Sequence, residues 1–253
     1  MTGELLFDIL LLFMFAAALA TIAALFFVTA PYGRHARAGW GLRIGDKLAW
    51  IVMEAPAPVV FALCFALGPH AGSVPAAIFF VLWQSHYIHR AFFYPFGLRH
   101  GSRGMPLAIA GVGFAFNAAN GYLNGRYIFT LSGGYPDAWL SDARFVGGVA
   151  LFACGYVINR QSDRTLRRLR RPGEDQYHIP YGGMYRWISS PNYFGEIVEW
   201  IGWALATWSL PGLAFAVWCV ANLVPRARAH HHWYRERFPD YPAERRALVP
   251  GVW

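Results

Sequence analysis

The apolar stretch from Leu5 to Ala30 reads LLFDILLLFMFAAALATIAALFFVTA and carries one charged residue, Asp8. A membrane-spanning α-helix needs roughly 20 mostly apolar residues, and this stretch is longer than that. It lacks the basic start and the small-residue cleavage site of a secretory signal peptide, so we expect a retained helix. The stretch therefore predicts that the chain crosses a bilayer.

Six further apolar stretches follow the first one. They lie at residues 46–68, 73–97, 105–124, 142–160, 192–209 and 211–229. Seven such helices use most of the 253 residues and leave no room for a separate soluble domain. We predict an all-α polytopic membrane protein, with seven transmembrane helices in a single domain over residues 1–253.

The composition agrees with a membrane protein. The chain is 56% hydrophobic and 17% aromatic but only 14% charged, whereas a soluble domain carries about 25% charged residues. This excludes a disordered chain, a coiled coil and a small disulfide scaffold, and it argues against a water-soluble enzyme. The net charge is +8, and Lys47 is the only lysine among 22 basic residues. Because arginine binds phosphate and carboxylate bidentately, the bias indicates an anionic ligand, although a GC-rich genome would also produce it.

The basic residues alternate between the connecting segments. The first, third and fifth segments and the C-terminal tail are basic, the second has no Lys or Arg, and the fourth has only Arg126. By the positive-inside rule, the N-terminus lies outside and the C-terminus lies in the cytoplasm. The arginine bias also favours a bacterial inner membrane over the endoplasmic reticulum.

Several polar residues interrupt the apolar stretches. Glu54 precedes Pro56 and Pro58, which are expected to break the second helix and to expose backbone groups that must face protein or water. A buried acid satisfied by a neighbour and an acid that faces a functional cavity both remain open for Glu54.

The third stretch contains two overlapping polar stripes. At helical spacing, His86, His89 and Arg90 share one face, and Tyr87, Arg90 and Tyr94 form a second stripe. A tyrosine that faces a cavity can donate a hydrogen bond to a ligand carbonyl, so Tyr87 and Glu54 form a candidate acid pair on neighbouring helices.

Three more groups lie in the C-terminal half at helical spacing. They are Asn159 and Asp163, then Asn192, Glu196 and Glu199, then Arg226, His230 and Tyr234. Asn192 is a candidate N-cap of the sixth helix. The arginine, carboxylate and aromatic side chains suit the phosphates, ribose and bases of a nucleotide, and the apolar interior suits a lipid-like substrate.

The sequence pattern argues against a metal centre and against a soluble-type nucleotide-binding fold. The short histidine groups do not converge with the spacing of a di-iron or zinc centre, so we predict no metal. The sequence has neither a G-x-G-x-x-G turn after a strand nor a P-loop, which excludes a soluble-type nucleotide fold.

These residues fall into motifs that cover essentially the whole chain. The motifs are His86-Tyr87-x-His89-Arg90, Asn159-x-x-x-Asp163, Tyr177-x-Ile179-Pro180-x-Gly182-Gly183, Asn192-x-x-Gly195-Glu196-Ile197-x-Glu199-Trp200 and Phe238-x-Asp240-Tyr241-Pro242-x-x-Arg245. In this combination the chain closely resembles the steroid 5α-reductase family. The resemblance implies a seven-helix enzyme that uses NADPH to reduce the 4,5 double bond of a 3-oxo-4-ene steroid.

The resemblance also implies roles for individual residues. Glu54 and Tyr87 match the family's pair that holds the steroid 3-carbonyl. The cofactor-binding positions implied are Asn159, Asp163, Arg170, Tyr177, Asn192, Glu196, Arg226, His230, Tyr234 and Arg245, joined by Arg90, Tyr94 and Arg103. Trp50, Phe116 and Trp200 are expected to wall the steroid pocket, with a plain core role as the alternative. The pocket is expected mainly from the first four helices, and the NADPH site from the last three and the cytoplasmic loops.

A chemical expectation follows from the resemblance. Hydride addition to C5 builds negative charge on the 3-oxygen, and donors placed at that oxygen lower the barrier. Tyr87 donates as a phenol, whereas Glu54 donates only when it is protonated, which burial away from cations would favour. Our hypothesis is that Glu54 is neutral at rest and that Glu54 and Tyr87 together stabilise the enolate.

Other readings remain open. A sterol or enoyl-lipid reductase has similar chemistry, an isoprenylcysteine-type methyltransferase has a loosely similar C-terminal pattern, and a heptahelical receptor or transporter would explain the helices alone. The expected partners are a steroid and the lipid bilayer, with no nucleic acid, and we expect a monomer.

Overall fold

The computed structural model describes residues 2–29, 35, 39–97, 104–169 and 176–253. In this part of the chain nearly all regular structure is helical. The helices are α1 (Leu5–Phe27), α2 (Asp46–Glu54), α3 (Pro56–Leu67), α4 (Val74–Ile88), α5 (Tyr94–Gly97), α6 (Leu107–Arg126), α7 (Ala143–Leu169), α8 (Pro191–Thr207) and α9 (Leu210–Arg237). Two short strands, β1 (Arg43–Ile44) and β2 (Met105–Pro106), pair antiparallel. Each of the seven predicted apolar stretches therefore contains at least one helix, and the fourth stretch begins with strand β2.

Three of the helical segments are long and apolar enough to cross a membrane. They are Leu5–Phe27, Asp46–Leu67 and Leu210–Arg237. On α1 the large side chains Leu12, Phe13, Leu19 and Phe27 are exposed. Outward-facing apolar side chains on a long helix are typical of contact with lipid, and they support the membrane-protein character of the chain.

The second apolar stretch breaks where its prolines predict. α2 ends at Glu54 and α3 begins at Pro56, because Pro56 and Pro58 have no backbone N–H to continue the helical hydrogen bonds. Nearby carbonyl groups then accept bonds from side chains of other helices. The Met53 carbonyl accepts from Asn117 Nδ2 at 2.8 Å, and the Pro58 carbonyl accepts from Gln84 Nε2 at 2.9 Å.

The third stretch changes its helical pitch after Ile88. A π-helical turn runs from His89 to Phe93 and connects α4 to α5. His86 and Arg90 face the interior of the protein, whereas His89 lines a groove on the outer side of α4. The expectation that His86, His89 and Arg90 share one face was therefore wrong for His89. Tyr87, Arg90 and Tyr94 do face one cavity, as their spacing predicted.

Glycines bring α7 and α8 into close contact. A Cβ atom at Gly155 would lie 2.3 Å from the Glu199 nitrogen, and one at Gly202 would lie 2.4 Å from the Phe152 nitrogen. Small residues let two helix backbones approach in this way. The contact holds Asn159 of α7 against the first turns of α8.

Two contacts show which helix ends lie together. Glu4, just before α1, accepts hydrogen bonds from Arg126 at the end of α6, with distances of 2.5 and 3.2 Å. These bonds hold the pKa of Glu4 below its ordinary value. At the other end of α6, the pairing of β1 with β2 joins the first connecting segment to the two residues that precede α6, next to the third connecting segment.

Candidate active site

A cavity of about 770 Å³ lies between α1, α2, α4, α6, α8 and α9. Thirteen of the residues predicted for the site line it. They are Trp50, Glu54, Tyr87, Arg90, Tyr94, Phe116, Tyr177, Asn192, Glu196, Trp200, Arg226, His230 and Tyr234. Residues from widely separated stretches of the sequence thus converge on one space.

The remaining predicted residues do not line this cavity. Asn159 and Asp163 are buried behind its wall. Arg245 is buried with its guanidinium carbon 5.2 Å from the ring centre of Tyr241. Arg170 and Arg103 lie outside the residues that the structure describes. Arg245 is nevertheless linked to the cavity wall through Tyr241, because the Tyr241 ring stacks on the ring of Tyr234 with a centre-to-centre distance of 5.2 Å. Burial of Tyr241 in this contact raises the pKa of its hydroxyl group.

The character of the cavity wall changes along α9. Its first turns contribute Phe215 and Trp218, and Trp218 stacks on Phe116 at 4.2 Å. Its last turns contribute Arg226, His230 and Tyr234, which lie on one face as their spacing predicted. From residue 215 to residue 234 a helix rises about 28 Å. One cavity therefore has an aromatic end and an end with basic and hydroxyl-bearing side chains.

Arg90 lies at the meeting point of three carboxyl groups. Its guanidinium nitrogens are 3.8 Å from Glu54, 3.6 Å from Asp163 and 3.9 Å from Glu196. Its planar head also packs on the rings of Trp50 and Tyr94, at 4.8 and 4.6 Å from their centres. Burial away from cations, the condition that would favour a neutral Glu54, is therefore not met. The cation is shared, however, so three carboxylates with one guanidinium would leave this cluster with an excess of negative charge.

A hydrogen-bonded group joins α7 to α8 behind the cavity. Asn159 Nδ2 donates to the Asn192 carbonyl at 3.0 Å and to Glu196 Oε2 at 3.3 Å, and Asn192 Nδ2 donates to Asp163 Oδ1 at 3.3 Å. Ser190, not Asn192, is the N-cap residue of α8. The suggestion that Asn192 caps this helix was wrong, because its amide is used to hold Asp163.

Tyr87 lies at the end of a directed chain of hydrogen bonds. The Trp203 indole N–H donates to Asn124 Oδ1 at 2.8 Å, Asn124 Nδ2 donates to Asn120 Oδ1 at 2.9 Å, and Asn120 Nδ2 donates to the Tyr87 hydroxyl at 3.2 Å. An indole nitrogen can only donate, so it determines which end of each asparagine amide accepts. The Tyr87 oxygen therefore accepts a bond from Asn120, and its own proton is left to point elsewhere.

The asparagines of this hydrogen-bond chain were not among the predicted site residues. Asn117, Asn120 and Asn124 are buried on α6, in an otherwise apolar stretch, at spacings of three and four residues. That pattern was a usable signal, since polar side chains inside a membrane helix face a partner or a cavity.

His86 is a further residue that sequence reasoning did not assign to the site. It lines the cavity, and its Nδ1 atom lies 2.8 Å from Glu199 Oε1. Glu199 is fully buried on α8. The contact with His86 gives the buried Glu199 carboxyl group a partner.

The chain matches known proteins over most of its length. A family model described as 3-oxo-5-alpha-steroid 4-dehydrogenase matches residues 103–253. The chain belongs to the steroid 5-alpha-reductase family. This is a family of oxidoreductases, and it is the family that the sequence motifs indicated.

Individual relatives span nearly the whole chain. Steroid 5-alpha-reductase DET2 of Arabidopsis thaliana is 41% identical over 92% of this chain and 91% of its own length. 3-oxo-5-alpha-steroid 4-dehydrogenase 1 of Bos taurus is 44% identical over 88% of each chain. The human protein of the same name is 41% identical over 87% of this chain and 85% of its own. These relatives come from a plant and from mammals, so they do not support the expected preference for a bacterial inner membrane.

Proposed function

We propose that this protein is an NADPH-dependent reductase that converts 3-oxo-4-ene steroids to 5α-reduced 3-oxosteroids. The observation that carries the proposal is the single cavity that changes from aromatic to basic along α9. A rigid apolar ring system suits the aromatic end, and a polyanionic nucleotide suits the end that contains Arg226, His230 and Tyr234.

The residues at the polar end fit such a cofactor chemically. Arg226 would bind a phosphate group, Asn192 and Glu196 offer amide and carboxylate groups for ribose hydroxyls, and Tyr193 and Tyr234 offer aromatic rings. Arg170, Tyr177 and Arg245 are proposed to contribute through the motif match. NADPH bound here would supply the hydride that adds to C5 of the substrate.

Tyr87 and Glu54 are proposed to hold the steroid 3-carbonyl. As the hydride adds at C5, negative charge develops on the 3-oxygen, and preorganised donors stabilise it until a proton adds at C4. Since the Tyr87 oxygen already accepts from Asn120, its O–H bond is available for the substrate oxygen. Trp203, Asn124 and Asn120 would thus act as positioning residues, because they keep the Tyr87 proton directed away from themselves.

Glu54 can donate only as a neutral acid. Its Oε2 atom accepts from Asn117 Nδ2 at 3.3 Å, and its Oε1 atom lies near Arg90, which also neighbours Asp163 and Glu196. With one guanidinium beside three carboxyl groups, a proton taken up by one of the acids reduces the buried negative charge. We place that proton on Glu54 when the steroid is bound.

We further propose seven transmembrane helices with the N-terminus outside and the C-terminus in the cytoplasm. The Glu4–Arg126 pair brings the start of α1 and the end of α6 together, and the β1–β2 pair brings the first connecting segment to the two residues that precede α6. Both contacts are compatible with that topology, in which the two partners of each contact lie on the same side of the membrane. The basic segments would then lie on the cytoplasmic side. We expect the unit to be monomeric, because the cavity is formed by one chain.

The test is the consumption of NADPH by the protein purified in detergent. NADPH absorbance should fall when a 3-oxo-4-ene steroid is added, and the product should carry a reduced 4,5 bond with α configuration at C5. A 3-oxosteroid that is already 5α-reduced is the control substrate and should give no consumption. A folded protein that consumes no NADPH with several 3-oxo-4-ene steroids would contradict the proposal and direct attention to sterol or enoyl-lipid substrates.

A further inference from the structure

A second groove lies on the outer surface, between α4 and α7, and has a volume of about 800 Å³. It shares no lining residue with the candidate active site. Phe80, Val81 and Ile88 of α4 and Phe93 of the π-helical turn give it a largely apolar floor, to which Gln84 and Ser85 also contribute. Val81 is 62% exposed and Phe93 is 64% exposed, so the apolar floor is open to the surroundings of the protein.

Side chains of α4 and α7 meet across this groove. The Tyr156 hydroxyl of α7 approaches the Ser85 carbonyl of α4 at 3.5 Å, and one turn further on His89 and Arg160 line the same groove. From Val81 to His89 a helix rises about 12 Å. The apolar floor therefore has the length of a substantial part of a lipid acyl chain and ends at basic side chains.

The basic end of the groove contains three arginines of α7. Arg160, Arg164 and Arg167 recur at spacings of four and three residues and line the groove together. Among the described residues, none of the three has a carboxylate within 4.0 Å, whereas Arg90, Arg126 and Arg144 each do. The Arg160 Nη1 atom is also buried and has no hydrogen-bond partner in the described part of the chain. This nitrogen keeps its capacity to donate to a ligand or a water molecule.

We propose that this groove binds an anionic phospholipid, with one acyl chain along α4 and the phosphate between the three arginines. Guanidinium groups bind phosphate oxygens bidentately, which accounts for the basic end. A free phosphate ion would leave Val81 and Phe93 uncovered, whereas a lipid covers the floor and the arginines with one molecule. Basic pockets at the ends of membrane helices bind lipid headgroups in this manner.

The site does not depend on the proposed reductase activity, because it lies on the opposite side of α4 from Tyr87. It would connect lipid composition to the position of α7, which also carries Asn159 and Asp163 behind the active site.

The test measures lipid retention by native mass spectrometry of the full-length protein, released from micelles that contain phosphatidylglycerol and phosphatidylcholine with identical acyl chains. The wild-type protein should retain more phosphatidylglycerol than phosphatidylcholine. Each arginine near an anionic lipid contributes a factor of about five, so Arg160→Gln should reduce the preference about fivefold. The triple variant Arg160→Gln, Arg164→Gln, Arg167→Gln should abolish it.

A matched control makes the same change of charge elsewhere. Arg228, Arg235 and Arg237 of α9 are exposed and line neither space, so their triple change to Gln should leave the preference intact. Val81→Trp, which fills the open floor, should reduce retention with all three arginines present. The proposal would be overturned if the wild-type protein retained the two lipids equally. It would also be overturned if the α9 control lost the preference for phosphatidylglycerol as fully as the groove variant, or if inorganic phosphate displaced all of the bound lipid. Thermal unfolding in pure phosphatidylcholine identifies a variant that has merely lost its fold.

Discussion

The Trp203 indole nitrogen donates a hydrogen bond to Asn124 Oδ1 at 2.8 Å, deep between α6 and α8. This contact lies two asparagines away from Tyr87, yet it determines the direction of every hydrogen bond between them. An asparagine amide could be reversed in an isolated pair, but not when one neighbour can only donate. Because Trp203 can only donate, this series of hydrogen bonds sets the direction in which the Tyr87 hydroxyl proton points at the cavity wall.

Replacement of Asn120 by aspartate should reverse the last bond of this chain. In Asn120→Asp the new carboxyl oxygen accepts from the Tyr87 hydroxyl, so the proton turns away from the substrate. We expect kcat to fall by about 10²–10³-fold, the loss typical of one oriented donor. Turnover of a 3-oxo-4-ene steroid measures the effect.

The comparison with Tyr87→Phe separates a positioning role from damage to the fold. If Asn120 acts through Tyr87, the double variant should be no slower than the slower single variant. Multiplicative losses would show that Asn120 acts independently of Tyr87. Trp203→Phe, which releases Asn124 without adding an acid, should give a smaller loss of kcat with NADPH binding unchanged.

Glu54→Gln tests the neutral-acid role of Glu54. Glutamine preserves the shape and an N–H donor, but it is a weaker hydrogen-bond donor than a carboxylic acid. We therefore expect a fall in kcat of about tenfold, smaller than the 10²–10³-fold expected when the donor is removed in Glu54→Ala. Full turnover by Glu54→Gln in the same steady-state assay would rule out an acid role.

Arg226→Ala should weaken the binding of NADPH much more than the binding of steroid. The reason is that Arg226 lines the polar end of the cavity, far along α9 from Phe215. Loss of a charge-assisted bond to phosphate costs about 1.5–3 kcal/mol, which is roughly 10- to 100-fold in Kd. Arg170→Ala is also expected to weaken NADPH binding more than steroid binding, because Arg170 matches a cofactor-binding position of the family.

Cofactor fluorescence and steroid binding should be measured on the same preparation of each arginine variant. Arg144→Ala is the control. Arg144 lies in the first turn of α7, where it pairs with Asp142 at 2.7 Å, and it does not line the cavity. Equal losses of cofactor and steroid affinity in Arg226→Ala would indicate misfolding instead.

Two adjacent glycines of α7 should respond oppositely to alanine. A Cβ at Gly148 would lie 2.3 Å from the Ala206 nitrogen, whereas one at Gly147 would meet only Leu205 Cδ2 at 3.9 Å. Gly148→Ala should therefore lower the free energy of unfolding by about 1–3 kcal/mol, because α7 and α8 must separate. Gly147→Ala should be neutral or slightly stabilising, since alanine favours helix. Thermal unfolding in detergent checks both, and similar midpoints would contradict the proposed close contact.

Much of the helical organisation could be predicted from the sequence. Apolar length predicted the seven helical stretches, and Pro56 and Pro58 predicted the break after Glu54, because the absence of a proline N–H acts locally. The spacing of Arg226, His230 and Tyr234 predicted that they share a face, since helical periodicity relates neighbours by geometry alone.

Tertiary structure decided what local patterns could not. His89, the first residue of the π-helical turn, lines the outer groove and not the cavity. The close approach of α7 and α8 lets Asn192 hold Asp163. The pairing of His86 with Glu199 joins residues 113 positions apart in the sequence. No local signal specifies such a contact, because it depends on which helices are neighbours.

The sequence by itself determined the class of molecule, the helical stretches, the family and most of the residues that meet in the cavity, because apolar length, periodicity and motif chemistry are local properties of the chain. Only the tertiary structure decided how those residues act on one another. It shares one guanidinium among Glu54, Asp163 and Glu196, and it connects Trp203 to Tyr87 through two asparagines. Charge balance and hydrogen-bond direction depend on distances between helices, and packing sets those distances.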